Sequence, residues 1–407
     1  MQETPKGSRL HIALFGRRNA GKSSLINALT NQDIALVSHI PGTTTDPVYK
    51  AMEILPVGPV MLIDTAGIDD EGSLGDLRVK KSMDVLEKTD VALLVVDSVL
   101  GFSNYEDKVI NLCQDRKIPL IVVLNKEDLL NQLKKSRLEQ EFTGKYDLPY
   151  VWVSTLSKKG IINLKQHLSK IKPVDWLAPA IVGDLLEPGD MVILVVPIDM
   201  AAPKGRLILP QVQTIRDILD HDCLTVVCKE YELKQAFLAL KEPPKLVVTD
   251  SQAFMKVSAD TPPDVPLTSF SILMARYKGD LLTLVRGAKT IDSLKPRDKI
   301  LIAEACTHHQ QPDDIGKVKI PRWLRQLVGG ELSIEFANGS KFPDNLEEYK
   351  LVVHCGGCML NRKEMLYRIK QVKDQGIPIV NYGVLIAHVH GILPRALKPF
   401  GIEYNVL

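Results

Sequence analysis

The sequence predicts an α/β fold in which one larger domain is followed by two smaller ones. Apolar runs of strand length alternate with polar segments of helix length along the chain. This alternation is typical of mostly parallel sheets that are covered by helices. A length of 407 residues exceeds what one core usually supports, because domains commonly hold about 100 to 200 residues. Two proline-rich stretches, at 172–189 and 261–266, mark the predicted domain boundaries.

The N-terminal part, residues 9–171, contains five apolar runs that we predict to be buried strands. Segments of helix length separate most of them, so the strands should form a mostly parallel sheet with helices on both faces. The runs are Leu10–Phe15, Val60–Ile63, Val91–Val96, Leu120–Leu124 and Tyr150–Val153.

The rest of the chain repeats this alternation on a smaller scale. Domains are predicted at 1–172, 190–265 and 266–407, with a linker at 173–189. Each of the two later domains should be a small α/β unit. Their predicted strands are Met191–Val196, Leu224–Cys228, Leu246–Val248, Ile300–Ala303, Leu351–Val353 and Ile377–Val380, and their predicted helices are Gln211–Asp220, Tyr231–Leu240 and Arg362–Gln375.

Residues 16–23 fit the pattern G-x-x-x-x-G-K-S between a predicted strand and a predicted helix. Its glycines let backbone N–H groups curl around phosphates at the positive end of the helix. Lys22 would reach the β- and γ-phosphates of a nucleotide, and the Ser23 hydroxyl would ligate Mg²⁺. The residues predicted to contact the nucleotide here are Gly16, Asn19, Gly21, Lys22, Ser23 and Ser24.

Further motifs follow later strands and indicate that the nucleotide is GTP. In Asp-Thr-Ala-Gly, Asp64 would hold Mg²⁺ and the N–H of Gly67 would contact the γ-phosphate. In Asn-Lys-Glu-Asp, Asp128 would accept hydrogen bonds from the ring N–H and the amino group of guanine, which adenine cannot offer. The predicted base-contacting residues are Asn125, Lys126, Asp128, Ser154 and Thr155. The first domain is therefore predicted to be a P-loop GTPase domain.

The segment 39–46 resembles the first switch loop of GTPases related to tRNA modification and ribosome assembly. By that resemblance Thr44 senses Mg²⁺ and the γ-phosphate, and Thr43 is the alternate because Thr45 replaces the usual Arg of the pattern. Ile68 follows Gly67, so the water-orienting Gln of Ras-like enzymes is absent. In the resembling families a bound K⁺ supplies the missing charge, partly through an Asn that matches Asn19. We expect slow, potassium-stimulated GTP hydrolysis. The predicted catalytic residues are Lys22, Thr44, Asp64 and Gly67.

Cys306, Cys355 and Cys358 form a second candidate site. Cys306 and Cys355 follow predicted strands, at the edge where open α/β sheets place their ligands. Three interpretations are open: a 4Fe–4S cluster with one accessible iron, a structural zinc that also binds His308, or thiols that are buried or redox-active without a metal. Candidates for a fourth metal ligand are Glu304, His308, His309 and His354.

The remaining cysteines and two histidines are assigned to packing. Cys113, Cys223 and Cys228 fall in or beside predicted helices and strands, where burial in a core is the usual role of a free cysteine. His388 and His390 are predicted to share one face of a strand. We expect a polar role in the core or at its rim for these histidines rather than metal ligation.

The GTPase motifs, a middle α/β segment, and Cys306-x-His308 followed by Cys355-x-x-Cys358 together resemble the HydF family of FeFe-hydrogenase maturation GTPases. The resemblance covers nearly the whole chain. It implies a scaffold that hydrolyses GTP, carries a 4Fe–4S cluster, accepts a diiron precursor with carbonyl and cyanide ligands, and delivers it to apo FeFe-hydrogenase. It also implies two radical-SAM maturases as partners, a homodimer or larger assembly formed through the middle segment, and the cofactors GTP, Mg²⁺, K⁺ and the cluster.

Two other classes of protein compete with this one. A GTPase of RNA modification or ribosome assembly with a structural zinc site is the main alternative, and a GTPase regulated by thiol oxidation is the other. A net charge of +2 and the lack of a recognisable RNA-binding motif disfavour nucleic acid as a partner. No apolar run approaches the about 20 residues of a membrane span, and residues 1–8 lack the apolar core of a signal peptide. A cytoplasmic location is therefore expected.

Overall fold

The computed structural model describes residues 4–30, 47–65, 84–171, 180–197, 207–305, 314–339, 342–343 and 345–406. The chain divides into two compact units, Met1–Leu177 and Ala178–Leu407. Each unit is described by itself, and the strands and helices are numbered along the described residues.

The first unit contains a six-stranded sheet within its described residues, in the order β2-β3-β1-β4-β5-β6. All neighbouring strands run parallel except β2 and β3, which are antiparallel. The strands are β1 (Leu10–Phe15), β2 (Val48–Ile54), β3 (Gly58–Asp64), β4 (Val91–Asp97), β5 (Leu120–Asn125) and β6 (Tyr150–Trp152), and the helices are α1 (Lys22–Thr30), α2 (Asn104–Asp115), α3 (Gln132–Lys145) and α4 (Ile161–Lys170).

The central strands of this sheet are buried on both faces, which explains their continuous apolar sequences. In β1, Ile12 and Leu14 pack against one side with apolar residues of α1 and α4. Ala13 and Phe15 point to the other side and pack with residues of α2 and α3, where Cys113 is also buried. The predicted parallel sheet with helices on both faces is therefore confirmed, and so is the burial of Cys113.

The second unit contains two four-stranded sheets within its described residues, ordered β10-β9-β7-β8 and β12-β11-β13-β14, and all their strand pairs are parallel. The strands are β7 (Met191–Val195), β8 (Leu224–Cys228), β9 (Leu246–Thr249), β10 (Leu267–Ser269), β11 (Lys299–Glu304), β12 (Ser333–Asn338), β13 (Leu351–His354) and β14 (Ile379–Asn381). The helices are α5 (Leu209–Asp220), α6 (Leu233–Ala239), α7 (Phe254–Asp260), α8 (Phe270–Lys278), α9 (Leu281–Lys289), α10 (Ile320–Val328), α11 (Arg362–Asp374), α12 (Tyr382–Val389) and α13 (Leu393–Leu397).

In both small sheets, the strand that comes first in the sequence lies inside the sheet, and the later strands are added on opposite sides of it. β7 lies between β8 and β9, and β11 lies between β12 and β13. This reversal of the strand order leaves a crevice at the carboxyl ends of the two strands where it occurs, and open α/β sheets bind ligands there. Cys355 directly follows β13, so the sequence places it at the reversal point of the third sheet.

One predicted strand of the second unit is a helix in the structure, and the strand β10 was not predicted. The expectation that His388 and His390 share one face of a strand is wrong, because His388 lies in helix α12 (Tyr382–Val389) and His390 is the C-cap of that helix. An apolar segment of this length can be a buried helix as easily as a strand. Strand β10 follows the predicted boundary at residue 265 and pairs with β9 in the second sheet, and the boundaries of the smaller domains stay predictions.

Candidate functional site

The P-loop connects β1 to α1 and packs closely against neighbouring elements. Gly16 has φ +151°, and a Cβ atom there would lie 2.3 Å from the carbonyl oxygen of Val95 in β4. Gly21 has φ +96°, and a Cβ atom there would lie 2.2 Å from Nδ2 of Asn125. Asn19 adopts a positive φ of 59° between them. Positions 16 and 21 therefore need glycine for close contact with β4 and Asn125, and the loop curls as a phosphate-binding loop requires.

The side chains of Lys22, Ser23 and Asp64 lie together at the start of α1. Lys22 Nζ donates to the carbonyl oxygens of Gly16 at 2.7 Å and Arg17 at 3.0 Å. Ser23 Oγ donates to Asp64 Oδ2 at 3.0 Å. Burial raises the pKa of Asp64, while the charge of Lys22 and the Ser23 hydrogen bond act in the opposite direction.

This group of side chains fits Mg²⁺ and a phosphate. Mg²⁺ prefers oxygen ligands, and Ser23 and Asp64 supply a hydroxyl and a carboxylate. Asp64 Oδ1 is buried and accepts no hydrogen bond from the part of the chain that the structure describes. A bound cation would satisfy this oxygen. The ammonium of Lys22 lies next to the pair and would bind phosphate oxygens.

Asn125 links the P-loop to the loop that follows β6. Its Nδ2 donates to the carbonyl oxygen of Ala20 at 2.8 Å, and its Oδ1 accepts from the N–H of Thr155 at 3.2 Å. The residue is fully buried. Asn125 therefore links two predicted nucleotide-contacting segments, and its own contact with the base stays a prediction.

The predicted base-recognition residues lie at the carboxyl ends of β5 and β6. Asp128 is exposed, so its carboxylate is accessible to guanine. Lys126 has φ +64° and forms an ion pair with Asp97 at 2.5 Å. Ser154 is buried, and its Oγ accepts from the N–H of Ser157 at 3.1 Å. Asp97 was not predicted, although its place at the end of β4 is a signal that could have found it.

The structure describes Ser24 but not several other predicted site residues. Ser24 is exposed in the first turn of α1. The others lie outside the residues that the structure describes, and their predicted roles stay predictions. These are Thr43, Thr44, Gly67, Cys306, His308 and His309.

The Cys355–Cys358 loop leaves β13 in a sharp turn. The N–H of Cys355 donates to the carbonyl oxygen of Ala303 at 2.9 Å, and its Sγ accepts from the N–H of Ala305 at 3.2 Å. Gly357 has φ +59°, a conformation that favours glycine. Burial raises the pKa of the Cys355 thiol, whereas Cys358 is exposed. The loop therefore presents one sheltered and one accessible sulfur.

A buried lysine donates hydrogen bonds to the backbone of this loop. Lys278, the last residue of α8, is only 4% exposed. Its Nζ donates to the carbonyl oxygens of Gly357 at 3.3 Å, Cys358 at 3.1 Å and Leu360 at 3.1 Å. Burial lowers the pKa of Lys278, while the Cys358 and Cys355 sulfurs act in the opposite direction. No local sequence signal points to this contact, because its partners lie about eighty residues away along the chain.

His354 immediately precedes the loop and uses both ring nitrogens. The carbonyl oxygen of Cys355 can only accept, so Nδ1 carries the proton and donates to it at 2.7 Å. Nε2 then accepts from Nε of Arg368 at 2.7 Å. Burial and the charge of Arg368 lower the pKa of His354 to about 3. His354 is thus neutral and would have to give up a hydrogen bond to ligate a metal.

Glu304 is the last residue of β11 and lies buried near the same sheet edge. Its Oε1 accepts from the hydroxyl of Tyr382 at 3.2 Å. Burial, together with the charge of Glu304, raises the pKa of Tyr382. Gly316 leaves room for this pair, because a Cβ atom there would lie 2.2 Å from the Tyr382 hydroxyl. The carboxylate is therefore held at the carboxyl end of the third sheet.

The described residues contain neither a grouped set of metal ligands nor a membrane-spanning helix. No group of three or more His, Cys, Asp or Glu side chains in this part of the chain is arranged to hold a metal ion. The predicted ligand set includes residues outside it, so that set stays a prediction. No helix within the described ranges is long and apolar enough to cross a membrane.

Curated relatives resemble the GTPase part of the chain. GTPase Der of Kosmotoga olearia is 40% identical over 168 residues, which is 39% of this chain and 38% of that protein. The tRNA modification GTPase MnmE of Natranaerobius thermophilus is 33% identical over 163 residues, which is 40% of this chain and 34% of that protein. The chain thus spans less than two fifths of the length of these relatives. Among solved structures, Aquifex aeolicus Era is 21% identical with a TM-score of 0.36, covering 62% of this chain and 99% of that one.

Family models match three consecutive stretches. Residues 11–126 match the 50S ribosome-binding GTPase model, which confirms the predicted GTPase domain. Residues 181–279 match the hydrogen maturase F dimerization domain, and residues 282–399 match the hydrogen maturase F tetramerization domain. The last two models span more than half of the chain and support self-association. From these matches and the GTPase site that precedes them, the chain belongs to the hydrogen maturase F family.

Proposed function

We propose that the protein is a GTP-hydrolysing scaffold in hydrogenase maturation. It carries a 4Fe–4S cluster, accepts a diiron precursor and transfers it to apo FeFe-hydrogenase. The observation that carries the proposal is the succession of a GTPase domain and both hydrogen maturase F domains in one chain. The two radical-SAM maturases as partners and a cytoplasmic location belong to the same proposal.

The proposed cluster ligands are Cys306, Cys355 and Cys358. Ala305 donates its N–H to Cys355 Sγ at 3.2 Å, and Cys306 is the next residue along the chain after Ala305. Backbone hydrogen bonds to sulfur stabilise thiolates that ligate iron. This hydrogen bond at Cys355 supports the proposal, while the position of the Cys306 thiol lies outside the residues that the structure describes. When bound, such a cluster supplies one iron that can take an exchangeable ligand.

Glu304 is the favoured fourth ligand. Among its contacts is one hydrogen bond from Tyr382, and a carboxylate oxygen that accepts a hydrogen bond retains lone pairs for a metal. His354 uses both ring nitrogens in buried hydrogen bonds. Ligation by His354 would leave a buried polar group unsatisfied, which costs about 1–3 kcal/mol. His308 and His309, the other candidates that the sequence offers, lie outside the residues that the structure describes.

In the nucleotide site, the proposed chemistry is slow hydrolysis of GTP. Lys22 and the P-loop N–H groups would hold the phosphates, and Ser23 and Asp64 would hold Mg²⁺. Ile68 stands where Ras-like enzymes orient the attacking water, so turnover should be slow. Asn19 is the proposed contact to an activating K⁺. A slow reaction suits a switch that controls when partners bind and leave.

The test uses the full chain isolated anaerobically from cells that also express the two maturases. Apo FeFe-hydrogenase is added, and hydrogen evolution, iron content and GTP turnover are measured. Wild type should activate the hydrogenase, while Cys358→Ala should lose activation and iron but keep GTP turnover. As a matched control, Cys228→Ala should behave like wild type. A colourless zinc-loaded protein that activates no hydrogenase would refute the proposal and favour the RNA-related GTPase with structural zinc.

A further inference from the structure

Glu127 stands between two residues that are predicted to contact guanine. It is the third residue of Asn-Lys-Glu-Asp, and Lys126 and Asp128 flank it. Asp128 is exposed, whereas Glu127 is only 8% exposed. A carboxylate that is so far removed from water needs partners of opposite charge. The partners of Glu127 therefore indicate the role of its side chain.

Two lysines from different segments share one oxygen of Glu127. Lys135 in α3 donates from Nζ to Oε1 at 2.5 Å, and Lys159 in the loop after β6 donates from Nζ to the same oxygen at 2.8 Å. Burial acts to raise the pKa of Glu127, but the hydrogen bonds and charges of the two lysines outweigh it and lower the pKa below its usual value. The carboxylate is therefore ionised at neutral pH, and it joins the loop after β5, α3 and the loop after β6.

The loop after β6 is a short closed turn that ends at Lys159. The N–H of Ser154 donates to the carbonyl oxygen of Lys159 at 3.1 Å and closes the turn. Gly160 follows with φ +78°, and a Cβ atom there would lie 1.9 Å from the carbonyl oxygen of Trp152 in β6. Because the turn is closed in this way, an interaction that holds Lys159 also holds the backbone of Thr155, which is a predicted base contact.

The two ion pairs of Glu127 differ in their exposure to solvent. The side chain of Lys135 is 17% exposed, and that of Lys159 is 70% exposed. Salt screens exposed pairs far more than sheltered ones. The pair with Lys135 therefore fixes the carboxylate against α3, and the pair with Lys159 is the link between the two loops that can open. The N–H of Glu127 also donates to the carbonyl oxygen of Val153 at 3.1 Å, so loss of the ion pairs should loosen the loops without unfolding them.

We propose that Glu127 is a positioning residue that holds the two guanine-contacting loops together and thereby sets how long a nucleotide stays bound. The phosphate side of the site uses other side chains, those of Lys22, Ser23 and Asp64. The rate of nucleotide dissociation should therefore depend on Glu127, and the rate of the hydrolysis step should not. The inference rests on the proposed guanine site and is independent of the proposed cluster.

The test measures nucleotide release from the full chain, which is loaded with a fluorescent GDP analogue and then mixed with an excess of unlabelled GDP. Glu127→Gln keeps the size of the side chain and removes its charge, so the analogue should leave about tenfold faster, as expected for the loss of charge-assisted hydrogen bonds. Lys159→Met removes only the exposed pair and should accelerate release about two- to fivefold. Single-turnover hydrolysis of saturating GTP should keep the wild-type rate in both variants.

The dependence of release on ionic strength separates this link from a general loss of stability. At constant K⁺, tetramethylammonium chloride should accelerate release from wild type, because salt screens the exposed ion pair. Lys159→Met should lose most of this acceleration, since the screened pair is already absent. Lys158→Met is the matched control, because Lys158 is the exposed neighbour in the same turn, and it should behave like wild type.

Equal release rates for wild type, Glu127→Gln and Lys159→Met overturn the role of Glu127. Hydrolysis that slows in step with faster release would reveal a general loosening of the first unit, and would overturn it as well. A wild-type chain that binds no GTP refutes the proposed nucleotide site itself, and this inference with it. If Glu127→Gln does not fold, Lys159→Met still tests the link, because the side chain of Lys159 lies mostly in solvent.

Discussion

Arg368 Nε donates a 2.7 Å hydrogen bond to Nε2 of His354, and both side chains are buried. The bond fixes the histidine tautomer, so that Nδ1 bonds the carbonyl oxygen of Cys355. The guanidinium also lies 4.3 Å from the ring centroid of Phe342. The backbone where the cysteine loop begins is therefore held by a neutral histidine, which makes it sensitive to acid.

We expect the free energy of unfolding to fall on acidification because of His354. Its pKa is about 3 in the folded chain against 6.5 for an ordinary histidine. Below 6.5 the unfolded chain binds a proton that the folded chain does not, so stability falls by up to about 1.4 kcal/mol per pH unit from this residue. Urea denaturation between about pH 7 and about pH 5 should show a steeper loss for wild type than for His354→Gln. Equal slopes would contradict the assignment, and exposed His167→Gln is the control.

Asn125→Ala should weaken GTP binding and destabilise the first unit. The substitution removes the bonds to Ala20 and Thr155 and leaves a buried carbonyl oxygen without its donor. The expected loss in the free energy of unfolding is about 1–3 kcal/mol. Calorimetric titration with GTP and chemical denaturation measure the two effects. Asn163→Ala, at an exposed position of α4, should change neither.

One glycine-to-alanine substitution should abolish GTP binding, and another should stabilise the first unit. Gly21→Ala forces a Cβ atom to within 2.2 Å of Asn125 Nδ2 at φ +96°, and should abolish GTP binding. Gly144 lies in α3, and a Cβ atom there would meet nothing within 4 Å, so Gly144→Ala should raise the free energy of unfolding by about 0.5–1 kcal/mol. The affinity of each variant for a fluorescent GTP analogue and its thermal unfolding are compared with those of wild type. A Gly21→Ala variant that binds GTP normally would contradict the loop geometry.

Asp128→Ala should reduce the affinity for GTP without affecting that for ATP. The exposed carboxylate is the proposed acceptor for two guanine donors, and loss of such bonds costs at least about tenfold in affinity. Competition between the two nucleotides gives the ratio directly. Asp115→Ala, also exposed and at the end of α2, serves as control. Unchanged discrimination would refute the role of Asp128.

Replacing K⁺ by Na⁺ should slow GTP turnover by wild type. Asn19→Gly should lose this difference, because it removes the proposed side-chain contact while glycine tolerates the φ of 59° at this position. Phosphate release in the two salts, at matched ionic strength, measures the effect. If wild type turns over equally in both salts, the potassium proposal fails.

The sequence predicts strands that are buried on both faces better than strands at sheet edges. Every predicted strand except the one expected at His388 and His390 corresponds to an observed strand, because runs such as Leu120–Leu124 are apolar throughout. The strands β2, β10 and β12 were missed, and all three lie at sheet edges. β2 and β12 carry partly exposed, mixed sequences, Val48–Ile54 and Ser333–Asn338, and β10 is buried but only three residues long. Edge strands lack the apolar continuity on which the prediction depends.

Site residues that belong to local motifs could be predicted from the sequence, whereas those placed by tertiary packing could not. The P-loop and Asp128 follow from local motifs whose spacing reflects backbone chemistry. The contacts of Lys278 and Arg368 with the cysteine loop depend on tertiary packing between elements that are distant in sequence. A lysine or arginine in a helix usually faces solvent. Nothing local distinguishes these two residues, so only the fold identifies them.

The burial of Cys113 has a practical consequence for alkylation experiments. Cys113 has no exposed surface inside the first unit, whereas Cys358 is accessible. Iodoacetamide reacts with accessible thiolates, so Cys358 should be labelled in the folded chain prepared without its proposed cluster, while Cys113 reacts only on unfolding. The rate at which the Cys113 peptide gains the mass of the label then measures how fast the GTPase domain unfolds.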